Sequence, residues 1–189
     1  FGNGGFTESV LLGNPFLGPE RKKEFEVGTD LRFYQDKISL NATYYNNKTE
    51  DLFLFLPIAN TRGYDRTFAN AADIQNTGIE IDLGYQILST NDISLSTNII
   101  YYQNENLVTN LVDVETVGLG GLSAVNARVI EGQPFGVLFG SRTLRDDNGD
   151  IVFDENGFPE QDQTDGVIGD PNPDWRGSFI TNFSYKNFG

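Results

Sequence analysis

Hydrophobic and polar positions alternate along five stretches of this 189-residue chain. Phe25, Val27, Thr29, Leu31 and Phe33 share one parity, as do Ile38, Leu40, Ala42 and Tyr44. Ile79, Ile81, Leu83, Tyr85 and Ile87 repeat the pattern, followed by Ile93, Leu95, Thr97, Ile99 and Tyr101, and then by Phe179, Thr181, Phe183 and Tyr185. Successive side chains of a strand point to opposite sides, so each stretch predicts a strand with one uncharged face. Glu24, Glu26, Asp30, Arg32, Glu80, Asp82, Arg176 and Lys186 occupy the opposite face.

Two hairpins follow from parity. The turn Tyr34-Gln35-Asp36-Lys37 pairs Phe33 with Ile38, which sets Leu31 opposite Leu40 and Val27 opposite Tyr44. The turn Leu88-Ser89-Thr90-Asn91-Asp92 pairs Ile87 with Ile93, Leu83 with Thr97 and Ile79 with Tyr101. A slip of one residue would turn one strand's apolar set to the wrong side, so both registers are strongly specified. The other connections are long. Residues 1–22 read as an irregular lead-in, 48–76 as a loop whose Leu52–Leu56 run extends the second strand, and 103–172 as a loop of roughly 70 residues, beyond the ordinary length of loops in compact domains. Within the last, the sequence predicts a flexible Gly118-Leu119-Gly120-Gly121, a short helical turn near Ala124–Val129 and an extended piece at Phe135–Ser141.

The net charge of -14 argues against nucleic acid as a partner, because such binding rests on cations meeting phosphate. Between Leu144 and Asp174 ten carboxylates face Arg145 alone. The chain has no cysteine and no histidine, which removes disulfides, thiolate metal sites and the commonest general base. Glu24, Glu26, Asp30, Glu80 and Asp82 lie on regular strand faces with no nucleophile cluster beside them, so the reading is not an enzyme. No apolar run reaches the roughly 20 residues of a membrane helix, a length that membrane β-strands do not need. The absence of methionine predicts a piece of a longer protein.

An uncharged sheet face meets either a protein core or lipid. A soluble β-sandwich alternates in the same way. Strands of about 10 residues suit a tilted membrane strand better than a sandwich, whose strands centre on roughly 5–6. Aromatic residues gather near strand ends, at Phe33, Tyr44, Tyr101 and Tyr185, as in membrane-interface girdles. Tight turns at one end with long loops at the other are the plan of outer-membrane barrels.

Several blocks then resemble one family. Gly13-Asn14-Pro15, Glu24-Phe25-Glu26-Val27-Gly28, Leu40–Thr49, Asn70–Glu80, Glu131-Gly132-Gln133-Pro134-Phe135-Gly136 and Gly169-Asp170-Pro171-Asn172-Pro173-Asp174-Trp175 are similar, in order, to the late barrel strands of SusC-like (SusC/RagA) TonB-dependent outer-membrane transporters. The resemblance implies an all-β fold: antiparallel strands of a transmembrane outer-membrane β-barrel, with residues 1–189 belonging to the carboxy-terminal half of one barrel of about twenty-two strands. It implies extracellular loops near 1–22, 48–76 and 103–172, and periplasmic turns near 34–37 and 88–92. The family's plug domain and coupling box have no counterpart in these residues.

The implied function is import of oligosaccharide or peptide across the bacterial outer membrane. A SusD-like lipoprotein would lid the extracellular mouth, and the TonB complex would act through the plug. A passive porin-like channel and a soluble carbohydrate-binding β-sandwich are the competing readings. Tyr64, Phe135, Phe139 and Trp175 are candidate contacts for cargo or lipoprotein by their aromatic faces, with packing inside folded loops as the alternative. Asp146, Asn148 and Asp150 place oxygens at alternate positions, as calcium loops do, but Ile151 stands where such a loop turns on glycine. A solvated acidic loop is the other reading. The family's acidic loop before the Gly-x-Pro-x-Pro segment is shortened here to Gln161–Ile168.

Overall fold

The computed structural model describes residues 9–59, 61, 63–122 and 124–188. Of the irregular lead-in expected over 1–22, residues 1–8 lie outside the described residues. The strands are β1 (Leu11–Leu12), β2 (Arg21–Phe33), β3 (Ile38–Pro57), β4 (Arg66–Ser89), β5 (Ile93–Leu111), β6 (Thr116–Gly121), β7 (Val125–Ile130), β8 (Val137–Gly140), β9 (Gly166–Gly169) and β10 (Arg176–Tyr185). One sheet runs β10-β5-β4-β3-β2, with β1 parallel to β4; the other runs β6-β7-β8-β9. Both orders have free ends, so neither sheet closes on itself among the described residues.

The chain forms two compact units. One comprises Lys22–Lys48, Gln75–Asn106 and Asn172–Gly189. Both predicted hairpins are present in it. Gly28 packs against Thr43, its expected partner across the first turn. Gln86 Nε2 reaches Ser94 Oγ (3.2 Å) and Asn98 Nδ2 reaches Asp82 Oδ1 (2.8 Å), as the second register requires. In β10 and β5, Tyr185 pairs with Ile93, Phe183 with Leu95 and Phe179 with Ile99. All these pairings put the uncharged parities on one side. Among the described residues that side is uncovered: Phe25, Phe179 and Phe183 remain 63, 70 and 59% exposed. Thr97 on this side is internally satisfied, its Oγ1 donating to the Ile180 carbonyl at 3.0 Å.

The first turn carries a local cost. Tyr34, Gln35 and Asp36 all have positive φ, at 53°, 59° and 64°. Left-handed backbone costs L-residues roughly 1–2 kcal/mol each.

The other unit comprises Phe1–Arg21, Thr49–Ile74 and Leu107–Pro171. Here the loop expectations are corrected. The Leu52–Leu56 run extends β3 to Pro57 as expected, but 48–51 and 66–76, expected as loop, are strand too, leaving only 58–65 between β3 and β4. The reason is burial: Leu54, Ala71, Ala72, Val108, Leu111, Val117 and Val129 make a core, with Leu52, Leu56 and Phe135 packed on it. Full burial of one such valine or leucine contributes roughly 1.5–3 kcal/mol. The expected 103–172 loop is largely folded, with β5 running to Leu111 and β6–β9 forming their own antiparallel sheet. The helical turn expected near Ala124–Val129 is instead β7, because its residues pair with β6 on one edge and β8 on the other. Gly118–Gly121, expected as flexible loop, lies in β6 and carries a register shift between Gly118 and Gly120.

Residues 142–162 show an order that the alternation pattern misses. Asp146, Asp154 and Asp162 recur every eight residues, and Gly149 and Gly157 follow the first two at the same offset. Leu144 N–H donates to the Glu160 carbonyl (2.8 Å), Glu160 N–H to Val152 (2.9 Å) and Val152 N–H to Leu144 (3.0 Å), closing a triangle of backbone bonds. Two hairpin arms leave this junction, paired at Arg145–Ile151 and Phe153–Pro159. Gly149 and Gly157, at φ 88° and 82°, supply the left-handed residue in each tip.

Candidate functional site

The polar side of the first unit's sheet carries a built network. Tyr45 on β3 crosses β4 at Gly78 and ends on β5. Its hydroxyl donates to Asn104 Oδ1 (3.0 Å) and shares a hydroxyl–hydroxyl bond with Tyr102 (3.0 Å). Gly78 makes the crossing possible, since a Cβ there would strike the Tyr45 ring and lie 2.6 Å from the Gln103 carbonyl. A second ladder runs beside it: Asn106 Nδ2 donates to Asn76 Oδ1 (2.7 Å), and Asn76 Nδ2 donates to Asn47 Oδ1 (3.2 Å). Tyr45, Asn47, Asn76, Tyr102 and Asn104, with Glu24, Glu26 and Glu80, line an open groove of about 340 Å³. Amides, phenols and carboxylates on one wall can bind water, hydroxyl-rich or cationic groups through directed hydrogen bonds. The carboxylates were visible on the polar parity. The Tyr45 and asparagine ladders were missed, although Asn41, Thr43, Tyr45 and Asn47 alternate on that same parity.

Each aromatic candidate has its own local setting. Tyr64 sits in the short segment between β3 and β4, beside Asp65, whose N–H donates to the Val10 carbonyl (2.9 Å). Phe135 packs against the buried core of its own unit. Phe139, on β8, has the Arg128 guanidinium 4.0 Å above its ring. Trp175 belongs to the other unit and stacks on Tyr101, with ring centroids 6.2 Å apart.

The calcium candidates have defined local roles. Asp146 Oδ1 accepts the N–H groups of Asn148 (2.9 Å) and Asp150 (3.0 Å). Asp154 repeats this with Asn156 (2.8 Å) and Phe158 (2.9 Å). The alternate spacing of Asp146, Asn148 and Asp150 is therefore also the spacing of a side-chain-capped turn. Among the described residues, no three acidic side chains converge in a way that could hold a metal ion. The Phe158 N–H, helped by those of Asn156 and Gly157, holds the Asp154 carboxyl below the usual carboxylate range. Asp162 is lowered likewise, chiefly by the Thr164 N–H, then by the Thr164 hydroxyl and Arg142, whose Nη2 lies 2.6 Å from Asp162 Oδ2.

Comparisons with known proteins agree with this architecture. The family described as TonB dependent receptor-like, beta-barrel matches residues 1–189. TonB-dependent receptor P3 of Formosa agariphila is 26% identical over 93% of this chain, and TonB-dependent receptor P39 of the same organism is 27% identical over 90%. The chain spans only 20% and 15% of those relatives. Among solved structures, the RagAB peptide importer in its closed-closed state superimposes with a TM-score of 0.71 at 18% identity, covering 91% of this chain and 20% of that one. The RagAB peptide transporter gives 0.69 at 17% identity, covering 88% and 20%. At such identity the likeness is one of fold. The chain thus belongs to the TonB-dependent receptor-like β-barrel family.

Proposed function

We propose that this chain is a wall segment of a TonB-dependent importer in the bacterial outer membrane. The observation that carries the reading is the sheet whose uncharged side is left open while its opposite side holds a hydrogen-bonded polar groove. Acyl chains solvate the first side and a hydrated lumen borders the second. Membrane strands must satisfy their polar groups internally, and the Thr97 bond to the Ile180 carbonyl is of that kind.

In this reading the turns at 34–37 and 88–92 face the periplasm. The unit built from Thr49–Ile74 and Leu107–Pro171 lies outside the cell, where a SusD-like lipoprotein lids the mouth. Cargo is oligosaccharide or peptide, and the TonB complex pulls through a plug supplied by the rest of the protein. The RagAB likeness supports a partnered importer of this class, and the family supports coupling to TonB. Uptake of the cargo by cells carrying the full-length protein should stop when TonB is deleted. Undiminished uptake would favour the passive porin-like channel instead, and solubility without detergent would favour a soluble sandwich.

A further inference from the structure

Arg128 pairs with no carboxylate among the described residues, in a chain that sets twenty-seven acidic residues against thirteen basic ones. Its guanidinium is nevertheless held from two sides. Nε donates to Asn126 Oδ1 at 2.8 Å, and the centre of the Phe139 ring lies 4.0 Å from the guanidinium carbon. The two terminal nitrogens have no protein acceptor among the described residues.

Register sets what flanks this group. Val129, the next residue on β7, is buried in the core and pairs with Val117 of β6. Alternation therefore turns Arg128 and Asn126 to the other side of the sheet. On that side β8 supplies Phe139, the register partner of Asn126. From β6 come Gly118 opposite Arg128 and Gly121 opposite Asn126, so neither position carries a side chain. A Cβ added at Gly118 would meet nothing within 4 Å, whereas one at Gly121 would come within 2.6 Å of Asn126 Cα. The guanidinium thus has an aromatic wall on one flank and bare backbone on the other. Its terminal N–H groups form a planar fork that matches the two oxygens of a carboxylate. A fork already fixed by Asn126 and Phe139 loses less freedom when such a group arrives.

We propose that Arg128, braced by Asn126 and Phe139 beside the bare backbone of Gly118 and Gly121, binds a carboxylate of the imported cargo. Acidic sugars and acidic peptides both carry that group. This rests on the importer reading and narrows its cargo to an anionic one.

The test titrates the detergent-solubilised full-length protein by calorimetry with trigalacturonate and with acetylated, amidated triglutamate. The neutral counterparts are the methyl-esterified trisaccharide and acetylated, amidated triglutamine. The expected result is that at least one acid binds and its neutral counterpart does not, and the acid that binds identifies the carrier. Arg128→Gln should weaken that binding roughly tenfold or more, with Arg128→Lys in between because it keeps the charge and loses the fork. Gly118→Leu, whose Cβ enters open space, should keep folded mobility on electrophoresis and still weaken binding by crowding the fork. If neither acid binds, if acid and neutral forms bind alike, or if Arg128→Gln keeps full affinity, the carboxylate site is overturned. Those results leave the importer reading to its TonB test. Uptake of the bound acid that persists after TonB deletion would fault the importer reading and leave the carboxylate site standing.

Discussion

Tyr45 lies across Gly78 to meet Tyr102, so a phenol on β3 is bonded to a phenol on β5 over the bare backbone of the strand between them. Gly78→Val closes that passage and forces the ring aside, an overpacking that costs roughly 1–3 kcal/mol. Tyr45→Phe keeps the ring and loses only hydrogen bonds, at about 1 kcal/mol each. The temperature at which the detergent-solubilised full-length protein loses its folded mobility on electrophoresis should fall for both, and further for Gly78→Val. Equal melting of native protein and Gly78→Val would contradict the crossing.

The turn at 34–37 should respond in the opposite direction. Gln35 holds φ at 59° with a side chain that disfavours it. Gln35→Gly relieves this and should stabilise the barrel by about 1 kcal/mol, read in the same melting assay. A drop in melting temperature would mean that the Gln35 side chain contributes more than its backbone costs.

Asp154 and Asp162 give the arms a pH dependence of defined sign. Their folded-state values lie below the ordinary carboxylate value, so the stabilisation is present above that value and is lost as pH falls through the depressed ones. Protection of the Asn156, Phe158 and Thr164 amides, measured against their intrinsic exchange rates at each pH, should hold down to about pH 4 and fall only below it. Protection lost between neutrality and the ordinary carboxylate range would contradict the assignment.

Asp146 separates a turn from a metal site. Asp146→Asn keeps an acceptor for the Asn148 and Asp150 N–H groups, whereas Asp146→Ala removes it at about 1 kcal/mol per bond. Protection of those two amides should survive the first change and fall with the second, with or without millimolar calcium. A calcium-dependent rise in melting temperature that Asp146→Asn abolishes would instead establish calcium binding.

Much of the membrane-wall sheet was legible because one face is uncharged. Parity and the short turns set Phe33 against Ile38 and Ile87 against Ile93, since a slip of one residue would bring charge to the wrong side. The folded loops were not legible for the converse reason. Leu52, Leu54 and Leu56 pack in a core unit while Phe53 and Phe55, apolar as well, stay exposed, and Ala71 and Ala72 are both buried, so apolar-polar alternation fades in both stretches. The Leu144–Glu160 triangle rests on backbone bonds and a period of eight, with only aspartate, asparagine and glycine shared between the first two repeats. Among site residues, the acidic groove wall could be read from parity. Phe135 and Trp175 could not be sorted by composition, because an aromatic packed in a core and one stacked at a strand end look alike in sequence.

The most direct measurement compares three arginine substitutions in the full-length protein by outer-membrane fractionation and folded-barrel electrophoresis. Leu31 and Leu83 lie on the uncharged side, where arginine near the bilayer midplane costs roughly 2–4 kcal/mol, and Ser96 lies on the groove side. Leu31→Arg and Leu83→Arg should assemble poorly, while Ser96→Arg should assemble as the native protein does. Equal assembly of all three would contradict the wall-segment reading.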